Sequence, residues 1–348
     1  MTIVFDAPVE PDALTTFIRE TPIPADLTLL AEAGENFVQS NVIDWAEITR
    51  TNRTARFRTY DGRIHVSERD TAVEKQVKLP PVSSSLSMGE YEKLQLQFAQ
   101  TGGTRREALA NAIYNDGEKL TREVQARFEQ AIGDLVGDGV LSINENGFVG
   151  TYDGGVPANQ IVNAGVAWTD TTNAVILTNL VAWNDVQVAN GYNGERVIRT
   201  SQAVIRLMQR NKEIIDAVHG ATAARTRVTL TELNDLLSSE GLPTVRAAYD
   251  TQVDVDGSTV RVIPADKVLL TPVSLADLVT VNFGISATAL ELVNSNKSDL
   301  SFEDAPGIVG IVEKAGPPYR EFTFVDAVGM PTLVDGRRLF IADIGTIS

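Results

Sequence analysis

The chain has 348 residues, 43% hydrophobic and 22% charged, which is enough apolar material for two or three substructures with real cores and too much for a disordered chain. A formal net charge of −16 argues against sequence-specific DNA binding, though it suits a protein that sits beside DNA without gripping it. The absence of cysteine removes disulfides, thiolate metal sites and cysteine nucleophiles together, and fits a reducing compartment.

The N-terminus places Asp6 and Glu10 where a signal peptide needs its apolar core, and no apolar run reaches the roughly 18 residues of a membrane helix, so neither is expected. Residues 1 to 48 carry Pro8, Pro11, Pro22 and Pro24 among scattered apolar residues without a sustained period. Two readings stay open there. Proline fixes φ and withholds a donor, which suits an extended segment lying over other surfaces, and the same letters fit a loosely packed strand and helix of an ordinary domain.

From residue 49 to 79 the chain turns basic, with Arg50, Arg53, Arg56, Arg58, Arg63, Arg69, Lys75 and Lys78. Phe57, Ile64 and Val66 alternate with polar residues, and Asp61-Gly62 is turn chemistry for antiparallel strands. The result is a hairpin polar on both sides, with too little apolar surface to stand alone. It needs a partner surface, either in its own chain or on a neighbouring subunit; the plain alternative is a solvated basic face. Leu79-Pro80-Pro81-Val82 then closes it in extended conformation.

Thr104 to Val136 predicts one long helix, on which about 33 residues would span roughly 50 Å. Thr104 and Glu107 form a capping box at its start. Leu109, Ile113, Leu120, Val124, Phe128, Ile132 and Leu135 make one narrow apolar stripe, so the helix should lie on a sheet as a strut with its charged face open. Gly117 predicts a weak point or bend, and Gly137-Asp138-Gly139 the stop.

Beyond it, Asn146-Gly147 predicts a hairpin. Residues 156 to 190 are mixed, with Trp168 and Trp183 as core anchors. Glu195 to Val218 predicts a second helix ended by Gly220, and Thr229 with Glu232 caps a short third one stopped by Gly241 and Pro243. A hairpin about Asp256-Gly257 follows, then a strand in 278–293 interrupted at Gly284. The C-terminal strands lie before and after Gly329, with Asp335-Gly336 turning the last pair. Helices and strands mix without a regular βαβ repeat, so the class is α+β.

Catalytic chemistry is hard to assemble from this inventory. His65 sits in the basic hairpin and His219 at a helix end, where a structural role is favoured, and two distant histidines make no zinc site. Asp254 and Asp256 do not make a calcium loop, because Gln252 and Ile263 stand where carboxylates are required. No phosphate-binding glycine loop and no GxSxG occurs, and no spacing nominates a catalytic, cofactor-binding or metal residue.

Four stretches occur in an order that carries a resemblance. They are Phe57 to Arg63 with Val77 to Leu94 (FRTYDGR, VKLPPVSSSLSMGEYEKL), Ala248 to Pro272, Leu278 to Leu292, and Pro317 to Ile344. Together they resemble the major capsid proteins of tailed bacteriophages, in particular the lambda-like capsid protein family found in many actinobacterial phages. That family has an arginine-rich loop, an L-P-P-hydrophobic-S segment and a G-E-x-E/D-x-L return, then a strand, a D-G turn and I-P-D-x-K-V-x-L. Ala265 ahead of Asp266 departs from that last spacing, and residues 1 to 48 and 150 to 190 match least.

The resemblance implies the Hong Kong 97-type capsid fold. It makes residues 1–48 an N-arm, 49–100 an extended loop (E-loop) with its return, and 101–190 a peripheral domain with a spine helix at 104–136. Residues 191–300 become an axial domain and 301–348 C-terminal strands returning to the peripheral domain. It implies a non-enzymatic protein without cofactors that assembles with itself, as pentamers and hexamers, into an icosahedral head. That head would enclose double-stranded DNA without sequence specificity. Scaffolding, portal and decoration proteins would be separate partners, and the virion the final location after assembly in the host cytoplasm. Arg53, Arg56, Arg58, Arg63, Arg69, Lys75 and Lys78 become the intersubunit contacts of the loop. The competing expectations are an encapsulin shell of the same fold and, in a different class, an acidic monomeric glycoside hydrolase or binding protein.

Overall fold

The computed structural model describes residues 2–5, 9–48, 72–89, 105–222, 225–255, 257–316 and 320–347. Two sheets, each with its own hydrophobic core, organise them. The first has β16 (Arg320–Leu333) at its centre. On one side β16 pairs antiparallel with β5 (Pro81–Met88). On the other it pairs first with β15 (Val309–Ala315) and then with β14 (Val279–Phe283). The short β1 (Thr2–Ile3) extends the sheet beyond β15, and β2 (Gly34–Phe37) runs parallel to β14.

Across this sheet lies α3 (Arg105–Asp138), 34 residues long and so about 51 Å. Ile113, Leu120, Val124, Phe128, Ile132 and Leu135 of the predicted stripe are all buried, as expected of a strut on a sheet. The buried face is wider than the stripe. Thr121, Gln125 and Glu129, one row over at four-residue spacing, are buried too, because α1 (Pro11–Glu20) and α2 (Thr28–Glu32) cover that side. The expected cap at Thr104 lies outside the described residues. The helix also continues through Gly137 and ends one residue later, where Gly139 takes φ +74°. Gly117 makes no break. A Cβ there would stand 3.2 Å from Leu14 Cδ1, so the missing side chain is what lets α1 approach.

The second sheet has strand order β10-β9-β13-β17-β8, from β10 (Thr244–Val245), β9 (Arg196–Thr200), β13 (Lys267–Pro272), β17 (Phe340–Asp343) and β8 (Ile161–Asn163). Packed with it are α4 (Ile176–Ala189), α5 (Gln202–Arg210), α6 (Lys212–His219) and α7 (Leu230–Ser239). Trp168 and Trp183 anchor this core as predicted, with rings stacked at 5.6 Å. The hairpins β6 (Val140–Glu145) to β7 (Phe148–Asp153) and β11 (Gln252–Val255) to β12 (Ser258–Arg261) form at the predicted positions. In the first, Asn146 and Gly147 both adopt positive φ.

Five expectations need correction. Residues 9 to 37 fold into α1, α2 and β2 within the first core, so the extended reading gives way to the ordinary-domain one. The helix predicted over Glu195 to Val218 is a strand and two helices. Val197 and Ile198 belong to β9, and Ser201 and Asn211 restart the chain as α5 and α6 by accepting the N–H groups of Val204 and Ile214. The apolar half-strand after Gly284 is α8 (Ala287–Val293), capped by Ser286, which accepts the Ala289 N–H. β16 runs unbroken through Gly329, held by the Pro80 carbonyl and by Phe283 on opposite sides. Asp335-Gly336 therefore turns no last pair; it carries the chain out of the first sheet, and β17 enters the second between β13 and β8.

Candidate assembly surfaces

The basic ribbon begins earlier than its charges do. β3 (Val42–Ile48) pairs antiparallel with β4 (Ala72–Lys78), from Val42 opposite Lys78 to Ile48 opposite Ala72. This ladder is a two-stranded sheet of its own, joined to neither larger sheet among the described residues. Its root is firmly held. The Leu79 N–H donates to the Asn41 carbonyl at 2.9 Å, Asn41 Oδ1 accepts the Ile285 N–H at 3.0 Å, and Leu79 is buried in the first core. Of the predicted contact residues, Arg53, Arg56, Arg58, Arg63 and Arg69 lie outside the described residues. Lys75 stands in β4 opposite Trp45, and its side chain is outside the description as well; Lys78 is exposed at the root.

Beside the root, the free side of β5 is an open sheet edge among the described residues, and Ser83, Ser85 and Ser87 are exposed along it. Ser84 on the opposite face donates to Glu123 of α3 at 2.5 Å, and Glu118 pairs with Arg122 one turn earlier, so this stretch of the helix is polar and outward. The same helix turns a carboxylate inward. Glu129 is fully buried and accepts the N–H groups of Leu29 and Leu30 at 3.0 and 2.6 Å and the Tyr249 hydroxyl at 2.5 Å. It supplies the N-terminal cap that α2 lacks locally. Burial pushes the Glu129 carboxyl up, against the pull of its three donors, and burial together with Glu129 raises the Tyr249 hydroxyl.

The junction of the two sheets is ionic. Glu32, the last residue of α2, pairs with Arg199 of β9 at 2.7 Å and with Arg246 at 2.8 Å. Arg199 also donates to Thr271 Oγ1, and both arginines reach the Val273 carbonyl. Burial lowers the Arg199 guanidinium while Glu32 holds it charged. Nothing in the letters around Glu32 or Arg199 announced this strap, because its partners are 167 residues apart. Glu129 did leave a signal, a carboxylate adjoining the apolar stripe of α3.

Among the described residues no cluster of three or more His, Asp or Glu side chains could hold a metal ion, and no helix is long and apolar enough to cross a membrane. His219 ends α6 with Nε2 3.8 Å from Glu232; His65 lies outside the described residues.

The sequence profile of phage major capsid protein E matches residues 11–299. No curated protein matches by sequence. Among solved structures, a protein described as a prophage capsid protein of E. coli CFT073 superposes with TM-score 0.59 at 13% identity, over 95% of this chain and 97% of that one. A phage-related protein of Bordetella bronchiseptica RB50 gives 0.51 at 12% identity, over 100% and 99%. The capsid of Myoviridae phage XM1 gives 0.50 at 10%, over 91% of each chain. At such identities the likeness is one of fold, and that fold is the Hong Kong 97-type capsid fold. With the profile covering most of its length, the chain belongs to the phage major capsid protein E family, whose members are shell proteins of phage capsids.

Proposed function

We propose that copies of this chain close as pentamers and hexamers into the icosahedral head of a tailed phage, around double-stranded DNA. Its role is then structural and not enzymatic. The observation that carries the assembly step is the β3–β4 ladder, firmly rooted at Asn41 and Leu79 yet, among the described residues, outside both larger sheets. A two-stranded ribbon with polar residues on both sides gains stability only against another surface. The neighbouring copy supplies that surface, its carboxylates facing Arg53, Arg56, Arg58, Arg63 and Arg69. Exposed ion pairs contribute only about 0–1 kcal/mol each, so burial beneath the ribbon and repetition around a closed ring carry the stability.

In this reading the first sheet with α3 is the peripheral domain and the second sheet with α4 to α7 the axial domain. Strand pairing supports moving residues 156 to 190 into the axial part and β14 with α8 into the peripheral part. Scaffolding, portal and decoration proteins are separate chains that join during assembly in the host cytoplasm, and the finished location is the virion. Genome contact is without sequence preference, a reading with which a net charge of −16 is compatible. The double variant Arg56→Glu, Arg58→Glu should give a folded subunit that forms no shells. Normal particles from that variant, seen by electron microscopy, would refute the role of the ribbon.

A further inference from the structure

Between Gly154 and Gly194 the only charged residues are Asp170 and Asp185, in a chain that is 22% charged. Asp170 is engaged locally, accepting the N–H groups of Thr172 and Asn173 at 3.2 Å and the Asn173 side-chain amide at 2.7 Å. The stretch contains α4, whose inner side buries Ile176, Leu180, Trp183 and Gln187. On the opposite side Val175, Thr178, Val181, Asp185 and Val188 follow at spacings of three and four, and all five are exposed. A helix apolar on both sides is ordinarily a buried one. The helices packed into the same core behave as surface helices do, α5 showing Arg206 and Arg210 to solvent and α7 showing Asp235.

The open face continues past both ends of the helix. At the C-terminal end the side-chain amides of Asn190 and Asn159 bond each other at 2.9 and 3.3 Å, which ties α4 to the segment entering β8. β8 is the end strand of the second sheet among the described residues. Its Ile161 is 45% exposed, beside 38% and 39% for Val181 and Val188. At the N-terminal end Glu213 of α6 accepts the N–H groups of Leu177 and Thr178 and the Thr178 hydroxyl, so the nearest carboxylate from another helix is engaged too.

We propose that the outer face of α4, with Ile161 beside it, is a nearly uncharged apolar contact onto an adjacent copy of this chain. This rests on the shell-building role proposed above and adds a second contact, separate from the basic ribbon. Two observations choose the occupant. Each copy carries a net charge of −16, so copies repel wherever like charges meet, and a face that brings almost none is where two such surfaces can close. The face is also small. With 14 residues in α4, its outer side measures about 21 Å by 10 Å, about 200 Å², against about 800 Å² per partner in a stable separate complex. Such an area holds no free partner by itself. Repeated around a closed ring of copies it suffices, because the contacts support one another.

The test makes two double variants of the face, Val181→Glu with Val188→Glu and Val181→Ala with Val188→Ala. A control pair, Leu230→Glu with Val260→Glu, adds the same charge at exposed apolar positions elsewhere. Free subunits are compared by thermal melting and assembly by sedimentation and electron microscopy, while hydroxyl-radical footprinting of the wild type reads Val181 and Val188 in subunits and in shells. Glutamate and alanine are both better helix formers than valine, so the face variants should melt at or above the wild-type temperature as subunits. The glutamate pair should form no shells, the alanine pair should need about tenfold more subunit to assemble, and the control pair should assemble normally. Val181 and Val188 should be open in subunits and protected in shells. Glutamate-pair shells of normal yield, or valines equally open in shells, overturn the inference while leaving the shell-building role intact. A fall in subunit melting for both face variants overturns it too, because the face is then covered within its own chain. Equal failure of the control pair overturns it in favour of net charge, and protection that requires an added second protein overturns it in favour of a separate partner. Failure of the wild type to form shells at all removes the larger reading and this one together.

Discussion

Three glycines of α3 offer a quantitative check on how this helix packs. An alanine in a helix interior is favoured over glycine by about 1 kcal/mol, so each Gly→Ala change begins with that gain. At Gly133 the new Cβ would stand 2.3 Å from Val262 Cγ1 and 2.4 Å from the Val262 carbonyl oxygen. Ordinary carbon contacts lie near 3.5–4.0 Å, so helix and chain must part by about 1 Å, and the obstacle includes backbone that no rotamer change can move. Overpacking of this kind costs about 1–3 kcal/mol, and parting the surfaces also loosens the buried neighbours Ile132 and Val136. Gly133→Ala should therefore destabilise by about 1–2 kcal/mol net. At Gly137 the nearest atom is Pro264 Cδ at 3.7 Å, an ordinary contact, so the same change should stabilise by up to about 1 kcal/mol. Gly117 faces the movable tip of Leu14 at 3.2 Å and should fall between the two. Urea denaturation of unassembled subunits, followed by helical circular dichroism, ranks the three. A Gly133→Ala variant as stable as Gly137→Ala would show that α3 does not lie against Val262 as described.

Burial holds the Glu129 carboxyl above its ordinary value of 4.5, so the folded chain keeps this proton more tightly than the unfolded one. Its contribution is complete below that ordinary value and is lost as pH rises through the raised one. The urea midpoint of wild type relative to Glu129→Gln should accordingly fall from about pH 4.5 upward, and a difference that stays constant to about pH 8 would contradict the assignment. Glu32→Ala leaves Arg199 buried without its carboxylate and should cost about 2–4 kcal/mol, clearly more than Arg246→Ala at the more exposed end of the strap; equal losses in denaturation would count against it. Thr229→Ala removes the hydroxyl that accepts the Glu232 N–H in the capping box of α7, while the backbone N–H of residue 229 can still donate to Glu232, and should cost about 1 kcal/mol, read as faster amide exchange confined to that helix and its neighbours.

The helices of this protein divide by where their ends are satisfied. α7 was legible because Thr229 and Glu232 cap it within its own four letters, and α3 because its stripe repeats over many turns. The hairpin at Asn146-Gly147 was legible because the turn itself demands those residues. α2 and α4 were not. Neither has a side-chain cap from its own N-cap residue; Glu129 supplies one from 99 and 100 residues away, and Glu213 takes the N–H groups of Leu177 and Thr178 from 36 and 35 residues away. The apolar face of α4 gave no period either, since its buried and open sides are both largely apolar, with Val181 and Val188 exposed.

Much the same holds for the sites. The basic run between Arg50 and Lys78 and the class of the fold came from the letters alone, because charge and hydrophobic period are local properties. Which sheet β17 joins and which carboxylate neutralises Arg199 were settled only by tertiary structure, since a buried charge acquires its partner when distant segments close upon it.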